Sequence, residues 1–185
     1  DDRCEFRPDP QWYNVDDGNN SRWDCIYTIP RAGGGLFGYW TATPKADTQG
    51  RFGFGETTDG ITWRALPPPV AEQVDAGEVG AIQQIGQRYY MMFGTGGIMV
   101  TLVADRPEGP FVPAARNFRL LSGHTYFARF FPAPSPDGLL VNHHSIARDG
   151  AVCFAPLKAT QVDEQGTLRL AWWAGNERFK HQGVP

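Results

Sequence analysis

The stretch Gly77-Glu78-Val79-Gly80-Ala81-Ile82-Gln83-Gln84-Ile85, running through Gly86-Gln87-Arg88 into Tyr89-Tyr90-Met91-Met92-Phe93, decides how the rest of the chain is read. Val79 to Ile85 is small and apolar, as a buried strand requires. The turn at Gly86-Gln87-Arg88 leads into an aromatic-rich strand, Tyr89 to Phe93. Two such runs separated by a short gap containing glycine read as a hairpin. A single carboxylate, Glu78, stands at the mouth of the first, innermost strand. Burial disfavours the charged form of a carboxyl group and raises its pKa, so this position suits a general acid. An ordinary loop carboxylate fits the same local sequence.

Outward from the hairpin the same grammar recurs. Upstream, Cys25 to Ile29, Leu36 to Thr43, Arg51 to Glu56 and Ile61 to Leu66 are strand-like and separated by Gly, Pro or Asp turns. The hairpin opens a second group: Val79 to Ile85, Arg88 to Gly94, Ile98 to Ala104 and, after a proline-rich turn, Phe111 to Pro113. A third group holds Tyr126 to Phe131, Leu139 to Ser145, Ala151 to Leu157 and Thr167 to Trp172. No segment has a 3.6-residue apolar period of useful length, which predicts an all-β chain. Asp24 and Glu78, at the openings of the first two groups, stand 54 residues apart, and Tyr126 follows Glu78 by 48. A period near fifty with four short strands per unit is the signature of a β-propeller blade. The expected blades are residues 22–70, 77–118 and 124–173 of a single domain, 1–185. A β-sandwich is the structural alternative, but it does not explain the repeated order within each unit. Asp1 to Asn20 is polar, with at most one short strand near Gln11 to Val15, and Trp12 and Tyr13 are expected to pack onto the domain.

Composition excludes several function classes. Hydrophobic residues make up 41% and aromatics 13% of 185 residues, enough for a packed core. Gly and Pro number 22 and 15, which predicts many turns and few long helices. A net charge of −3 with no basic run argues against nucleic acid as a partner. No apolar run reaches the ~18 residues of a membrane helix, so no membrane partner is expected. The cysteines, Cys4, Cys25 and Cys153, fit no zinc spacing. A Cys4–Cys25 disulfide with Cys153 free in an apolar strand suits an exported protein, and three buried thiols fit as well. A secreted or periplasmic location is the expectation over a cytoplasmic one.

Three motifs then occur in order. Thr57-Thr58-Asp59-Gly60-Ile61-Thr62-Trp63 is similar to an S-x-D-G-x-x-W blade edge. Glu78, Gly80 and the Gly86 to Phe93 strand are similar to an E-G-P … G-x-Y-Y-L-F-Y strand. Ala104-Asp105-Arg106-Pro107-Glu108-Gly109-Pro110-Phe111 is similar to an A-x-S-x-x-P-x-G-P-F/W turn. Together they resemble the five-bladed β-propeller glycoside hydrolases, namely the arabinanase and β-xylosidase family (family 43) and the invertase and levanase family (family 32). That resemblance implies three carboxylates meeting at the propeller axis, each at the start of an innermost strand. It makes Glu78 the acid and Asp24 the aspartate that holds substrate and tunes the acid. The usual R-D-P is not kept at Asp24, because Trp23 is inserted and Cys25 replaces Pro, and a structural salt bridge to Arg22 is the plainer reading. Neither Asp9 in Pro8-Asp9-Pro10 nor Asp16-Asp17 precedes a convincing buried strand, so the first-blade nucleophile or base has no match. With three blades readable where the family has five, a trimmed chain is expected.

The same geometry suggests pocket-lining groups. Trp23, Trp40 and Trp63 could stack on sugar faces or pack between strands. Arg129 could bind a hydroxyl or a carboxylate. His143 and His144 must face opposite sides of their strand, one of them toward a sheet interior, as core or in a substrate or metal-shell role. No cofactor is required. The resemblance permits a calcium ion near the axis, although no acidic loop demands one.

The chemistry is coherent with the placement. Glycoside cleavage needs a protonated carboxyl for the leaving oxygen and an ionised carboxylate to attack the sugar or activate water. Crowding like charges at an axis raises one pKa, and that group becomes the acid. The expected function is a glycosidase acting on a furanoside or a pentose- or fructose-type glycan, from the chain end, with an oligo- or polysaccharide as its partner. The alternatives are a non-catalytic carbohydrate-binding propeller and a sialidase-like propeller. For the latter, the Asp59-Gly60 edge is one residue shorter than an Asp-box, and no arginine triad is evident.

Overall fold

In the first of three antiparallel sheets, β1 (Trp23–Pro30), β2 (Leu36–Ala42), β3 (Gly53–Thr57) and β4 (Arg64–Leu66) lie side by side in chain order. The second repeats the plan with β5 (Glu78–Ile85), β6 (Arg88–Thr95), β7 (Ile98–Ala104) and β8 (Val112–Pro113). The third contains β9 (Thr125–Pro132), β10 (Leu139–Ile146), β11 (Val152–Phe154), β12 (Lys158–Val162) and β13 (Leu168–Trp172). The computed structural model describes residues 6–15, 21–121, 123–133 and 138–180.

In the third sheet β10 pairs with β9 on one side and with both β11 and β12 on the other. These two are one blade strand interrupted at Ala155-Pro156-Leu157, where Pro156 offers no N–H to the ladder. The Ala155 N–H still donates to the His143 carbonyl at 2.9 Å, and Asn142 Nδ2 donates to the Ala155 carbonyl at 2.9 Å. The expected strand Ala151 to Leu157 therefore splits and runs on to Val162. Each sheet is a four-stranded β-propeller blade.

The deciding hairpin forms as expected, with a tighter turn. Ile85 pairs directly with Arg88, so Gly86-Gln87 is a two-residue loop, and Gly86 takes φ +64°. Primed turns of this kind need positive φ, which glycine adopts without strain.

Alternation along β6 explains how the blades stack. Met91 and Phe93 join Ile29, Tyr39, Phe52 and Phe54 between the first and second blades. Tyr90 and Met92 point the other way and join Ala128, Phe130, Val141 and Leu168 between the second and third. Both faces of β6 are buried, so its sequence is a continuous apolar run. Each such side chain contributes about 1.5–3 kcal/mol by leaving water.

A third cluster, Tyr13, Trp40 and Ala42 with Phe6, Trp12 and Trp23 against it, covers the other face of the first blade. The expected strand at Gln11 to Val15 reduces to one bridge, Tyr13 to Pro44. Tyr13 is fully buried there, and its hydroxyl donates to the Leu66 carbonyl at 2.7 Å. A short 3-10 helix, Ala174–Phe179, follows β13 and was not anticipated.

Candidate active site

The innermost strands converge, with β1 packed on β5 and β5 on β9. Each carries an irregularity near its start. In β1, Asp24 pairs with Thr41 and Tyr27 with Tyr39, so Cys25 and Ile26 together oppose Trp40. In β5, Gly80 is the extra residue between Val79 and Ala81. In β9, Phe127 and Ala128 oppose His143. Such β-bulges bend a strand and re-aim the side chains beside them. Cys25 and Phe127 take positive φ, 58° and 48°, at equivalent places. Gly80 is required by space, because a Cβ there would lie 2.6 Å from the Met92 carbonyl oxygen and 2.7 Å from Met99 Cε.

At this mouth Asp24 and Glu78 meet through Arg22. Arg22 Nε donates to Asp24 Oδ2 at 2.7 Å and Nη2 to Asp24 Oδ1 at 2.8 Å, a bidentate pair. The same Nη2 donates to Glu78 Oε1 at 2.8 Å. Two oxygens bound to one nitrogen are separated by no more than twice 2.8 Å. Arg22 is anchored to the end of the neighbouring strand, donating its N–H to Thr43 Oγ1 at 2.8 Å and accepting from the Thr43 N–H at 3.2 Å. The Arg22 hydrogen bond holds Asp24 below the usual carboxylate range, burial opposes this, and the neighbouring Cys25 thiol adds to it. Glu78 is the more enclosed of the two carboxylates, with its side chain 20% exposed against 40% for Asp24.

The bridge from Arg22 to Glu78 was not legible in the sequence, although the Arg22-x-Asp24 spacing puts both side chains on one side of an extended strand. Tyr126 was missed as well. Its hydroxyl faces Glu78, and burial first, then the Glu78 charge, raises its pKa. Arg129 lies between the strands, and its Nη1 donates to the Gly80 and Ala128 carbonyls. Its guanidinium also sits 5.4 Å from the centre of the Phe127 ring. One nitrogen of Arg129 thus braces the β5 bulge.

Several expected contacts lie elsewhere. Trp40 is 1% exposed among aromatic neighbours, so it cannot stack on a sugar. Trp23 packs edge-on against Trp40 at 4.8 Å and donates Nε1 to the Phe6 carbonyl at 3.0 Å, and with Asp24 it lines a small hollow beside that aromatic cluster. Trp63 packs against Phe6 at 5.5 Å in the same region. His143 is the interior histidine, with Nδ1 3.0 Å from the His144 carbonyl and Nε2 2.7 Å from Lys158 Nζ. At 4% exposed it lies in the sheet interior, and burial lowers its pKa. His144 faces the other way, stacked on Phe154 and edge-on to Phe127, in a hollow of about 410 Å³ that Tyr126 also lines.

Asp9 caps a local turn, its Oδ1 accepting from the Gln11 N–H at 2.8 Å. Asp16, Asp17 and Cys4 lie outside the described residues. Cys25 is a partly exposed free thiol and Cys153 an exposed one, which corrects the reading of three buried thiols, while Cys153 is free as the disulfide reading also had it. Among the described residues no hydrogen bond or ion pair ties a third carboxylate to Asp24 and Glu78. Among them no group of three or more His, Cys, Asp or Glu lies together as a metal site.

No protein-family model and no curated sequence matches the chain. Solved structures match in fold. One is an exo-1,5-α-L-arabinanase from a bovine ruminal metagenomic library, at TM-score 0.61 and 16% identity, covering 92% of this chain and 61% of that one. Another is a Cellvibrio cellulosa α-L-arabinanase complexed with arabinohexaose, at TM-score 0.60 and 13% identity, covering 85% and 59%. A third is a family-43 β-xylosidase/α-arabinofuranosidase from a compost microbial metagenome in complex with xylotriose, calcium-free form. It matches at TM-score 0.53 and 12% identity, covering 78% and 56%. The chain thus spans about three fifths of the length of these structures. At such identities the likeness establishes the fold.

Proposed function

We propose that the chain carries part of the catalytic centre of a glycosidase, with Glu78 as proton donor and Asp24 as the carboxylate that orients substrate and acid. The observation that carries this reading is the single Arg22 nitrogen shared by Asp24 and Glu78 at the meeting point of two innermost strands. Carboxylates from adjacent blades have no packing reason to converge, and bringing them together costs Coulomb energy unless a cation intervenes. The fold likeness to arabinanases and a xylosidase, two of them holding oligosaccharides, supports the same class of substrate. We take that substrate to be a furanoside or pentose-type glycan bound end-on.

The contact with Arg22 is one that the ionised Glu78 makes. A glycosidic oxygen entering at Oε1 would take the place of Nη2 beside Glu78. Arg22 would remain bidentate on Asp24 through Nε and Nη2. Glu78 would then pass its proton to the leaving oxygen, and a further carboxylate must attack the sugar or activate water. Because no third carboxylate joins the pair among the described residues, a non-catalytic carbohydrate-binding propeller is the second reading.

Hydrolysis of nitrophenyl arabinofuranoside, xyloside, fructoside and galactoside by the full-length protein separates the two. Release of nitrophenol from at least one supports the glycosidase. A protein inert on all four that still binds an oligosaccharide supports the binding module. A glycan polymer cannot cross a membrane, so we place the protein in a secreted or periplasmic location. Cell fractionation that finds it only in the cytoplasm would overturn that placement.

A further inference from the structure

We infer that a cationic groove leading away from Glu78 binds the carboxylate of an acidic sugar, so that the preferred glycan bears a uronic acid. The inference rests on the glycosidase reading for the direction of the substrate chain and on the groove's own residues for its chemistry. The groove is a cavity of about 550 Å³ along the rim of the first blade. It begins at Arg22 and Gly77, the first a hydrogen-bond partner of Glu78 and the second its chain neighbour. Thr43, Lys45, Arg51 and Asp75 line the same cavity. The cavity thus adjoins the candidate acid through Arg22 and Gly77.

The charges along it are unevenly matched. Arg22 is satisfied by Asp24 and Glu78. Elsewhere arginines pair with carboxylates, as Arg31 and Arg64 do with Glu56, and Arg169 with Asp163. Among the described residues neither Lys45 nor Arg51 makes an ion pair, and neither does Asp75. The groove therefore presents two cations against one carboxylate.

Arg51 is also held in place. Its Nε donates to the Val74 carbonyl and its Nη1 to the Gly50 carbonyl, both at 3.0 Å. These bonds fix the guanidinium plane and leave Nη2 without a protein acceptor among the described residues. A braced guanidinium loses little freedom when it binds an anion. Lys45 is anchored through its backbone, which donates to the Trp12 carbonyl at 3.0 Å. Asp75 supplies an acceptor for sugar hydroxyls. Two donors of positive charge and one acceptor are what a uronic acid ring presents partners for, and a neutral pentose leaves both cations unmatched.

The test is calorimetric binding by the full-length protein at low salt. The probes are xylotriose, xylotriose carrying one glucuronic acid, the same trisaccharide carrying one sulfate, and trigalacturonate. At least one uronate probe is expected to bind about tenfold more tightly than neutral xylotriose, one charge-assisted contact's worth. Lys45→Gln should remove most of that preference, and Arg51→Lys, which keeps the charge and loses the brace, should weaken it. Equal affinity for neutral and uronate probes, or no binding of either uronate probe, overturns the inference. So does a preference that survives Lys45→Gln. Tighter binding of the sulfated probe than of both uronates overturns the assignment to a carboxylate. Binding is read without turnover, so a protein that prefers uronates but hydrolyses nothing loses only the glycosidase reading. A hydrolase without the preference loses only the groove.

Discussion

Gly94 sits opposite Glu78 in the β5–β6 ladder, and an alanine there tests how closely the third blade is fitted to the candidate acid. A Cβ at Gly94 would lie 2.5 Å from Tyr126 Oη, 2.6 Å from Cζ and 3.0 Å from Cε2. Non-bonded carbons rest at roughly 3.5–4.0 Å, so the ring has to retreat by about 1 Å. Gly94 does not use a positive φ, so the effect is steric rather than conformational. Overpacking of this kind costs about 1–3 kcal/mol. In a domain of this size that is a drop in melting temperature of roughly 2–12 °C. The same displacement takes the Tyr126 hydroxyl away from Glu78, whose charge now helps raise its pKa. Gly94→Ala should therefore melt earlier in calorimetry, and its Tyr126 phenol should titrate lower than in the parent. Tyr126→Phe keeps the Cζ contact, so the double variant should melt about as early as Gly94→Ala, while its hydrolysis should match Tyr126→Phe alone. A Gly94→Ala protein as stable as its parent, with Tyr126 titrating unchanged, would refute the argument.

Arg22→Met should move the Asp24 titration upward, since the Arg22 hydrogen bond is the largest cause of its low position. A lowered folded pKa stabilises the fold above the unfolded value of about 3.9 and loses that contribution as pH falls through the folded one. With both partners more than a third exposed, the pair is worth about 1 kcal/mol or less, and an unmoved Asp24 signal in carboxyl NMR would contradict it. Asp59 accepts from the Ile61 and Thr62 amides and the Thr57 hydroxyl, which bring its pKa down to about 2. Its support for the blade-edge turn should be complete above about pH 4 and fade toward pH 2, and an NMR midpoint near 4 would show that the turn does not hold it. Phe93→Ala removes a fully buried ring from between the first two blades and should cost about 3–5 kcal/mol in urea titration. A loss below 1 kcal/mol would mean that the interface is not packed as described.

The blade plan was legible because each strand of the first two units is closed by a glycine, proline or aspartate turn. Those turns are local. The β6 run Tyr90-Met91-Met92-Phe93 announced burial on both faces, and it lies between two cores. Glu78 and Asp24 were legible as strand-mouth carboxylates, but what joins them was not. Arg22 and Glu78 are 56 residues apart, and no local pattern encodes that contact. The bulges at Cys25, Gly80 and Phe127 were also silent; at Gly80 one extra residue leaves no periodic trace because that part of β5 is buried on both faces. Trp40 shows the same limit, since an aromatic on a strand buried on both faces looks in sequence like one that faces a ligand. Pro156 was a readable signal: a residue without an N–H within a paired strand predicts the break between β11 and β12. His143 and His144 could be placed on opposite faces by period two, while the Lys158 contact that marks His143 as core came only from the fold.

The most direct test of the central claim compares full-length parent protein with Glu78→Gln on glycosides of poor and good leaving groups. If Glu78 donates the proton, the variant should lose about 10²–10⁴-fold on an alkyl or sugar leaving group. On a dinitrophenyl glycoside, which needs no proton to depart, most of the rate should return. A Glu78→Gln protein that hydrolyses every substrate at the parental rate would contradict the assignment of Glu78 as the acid.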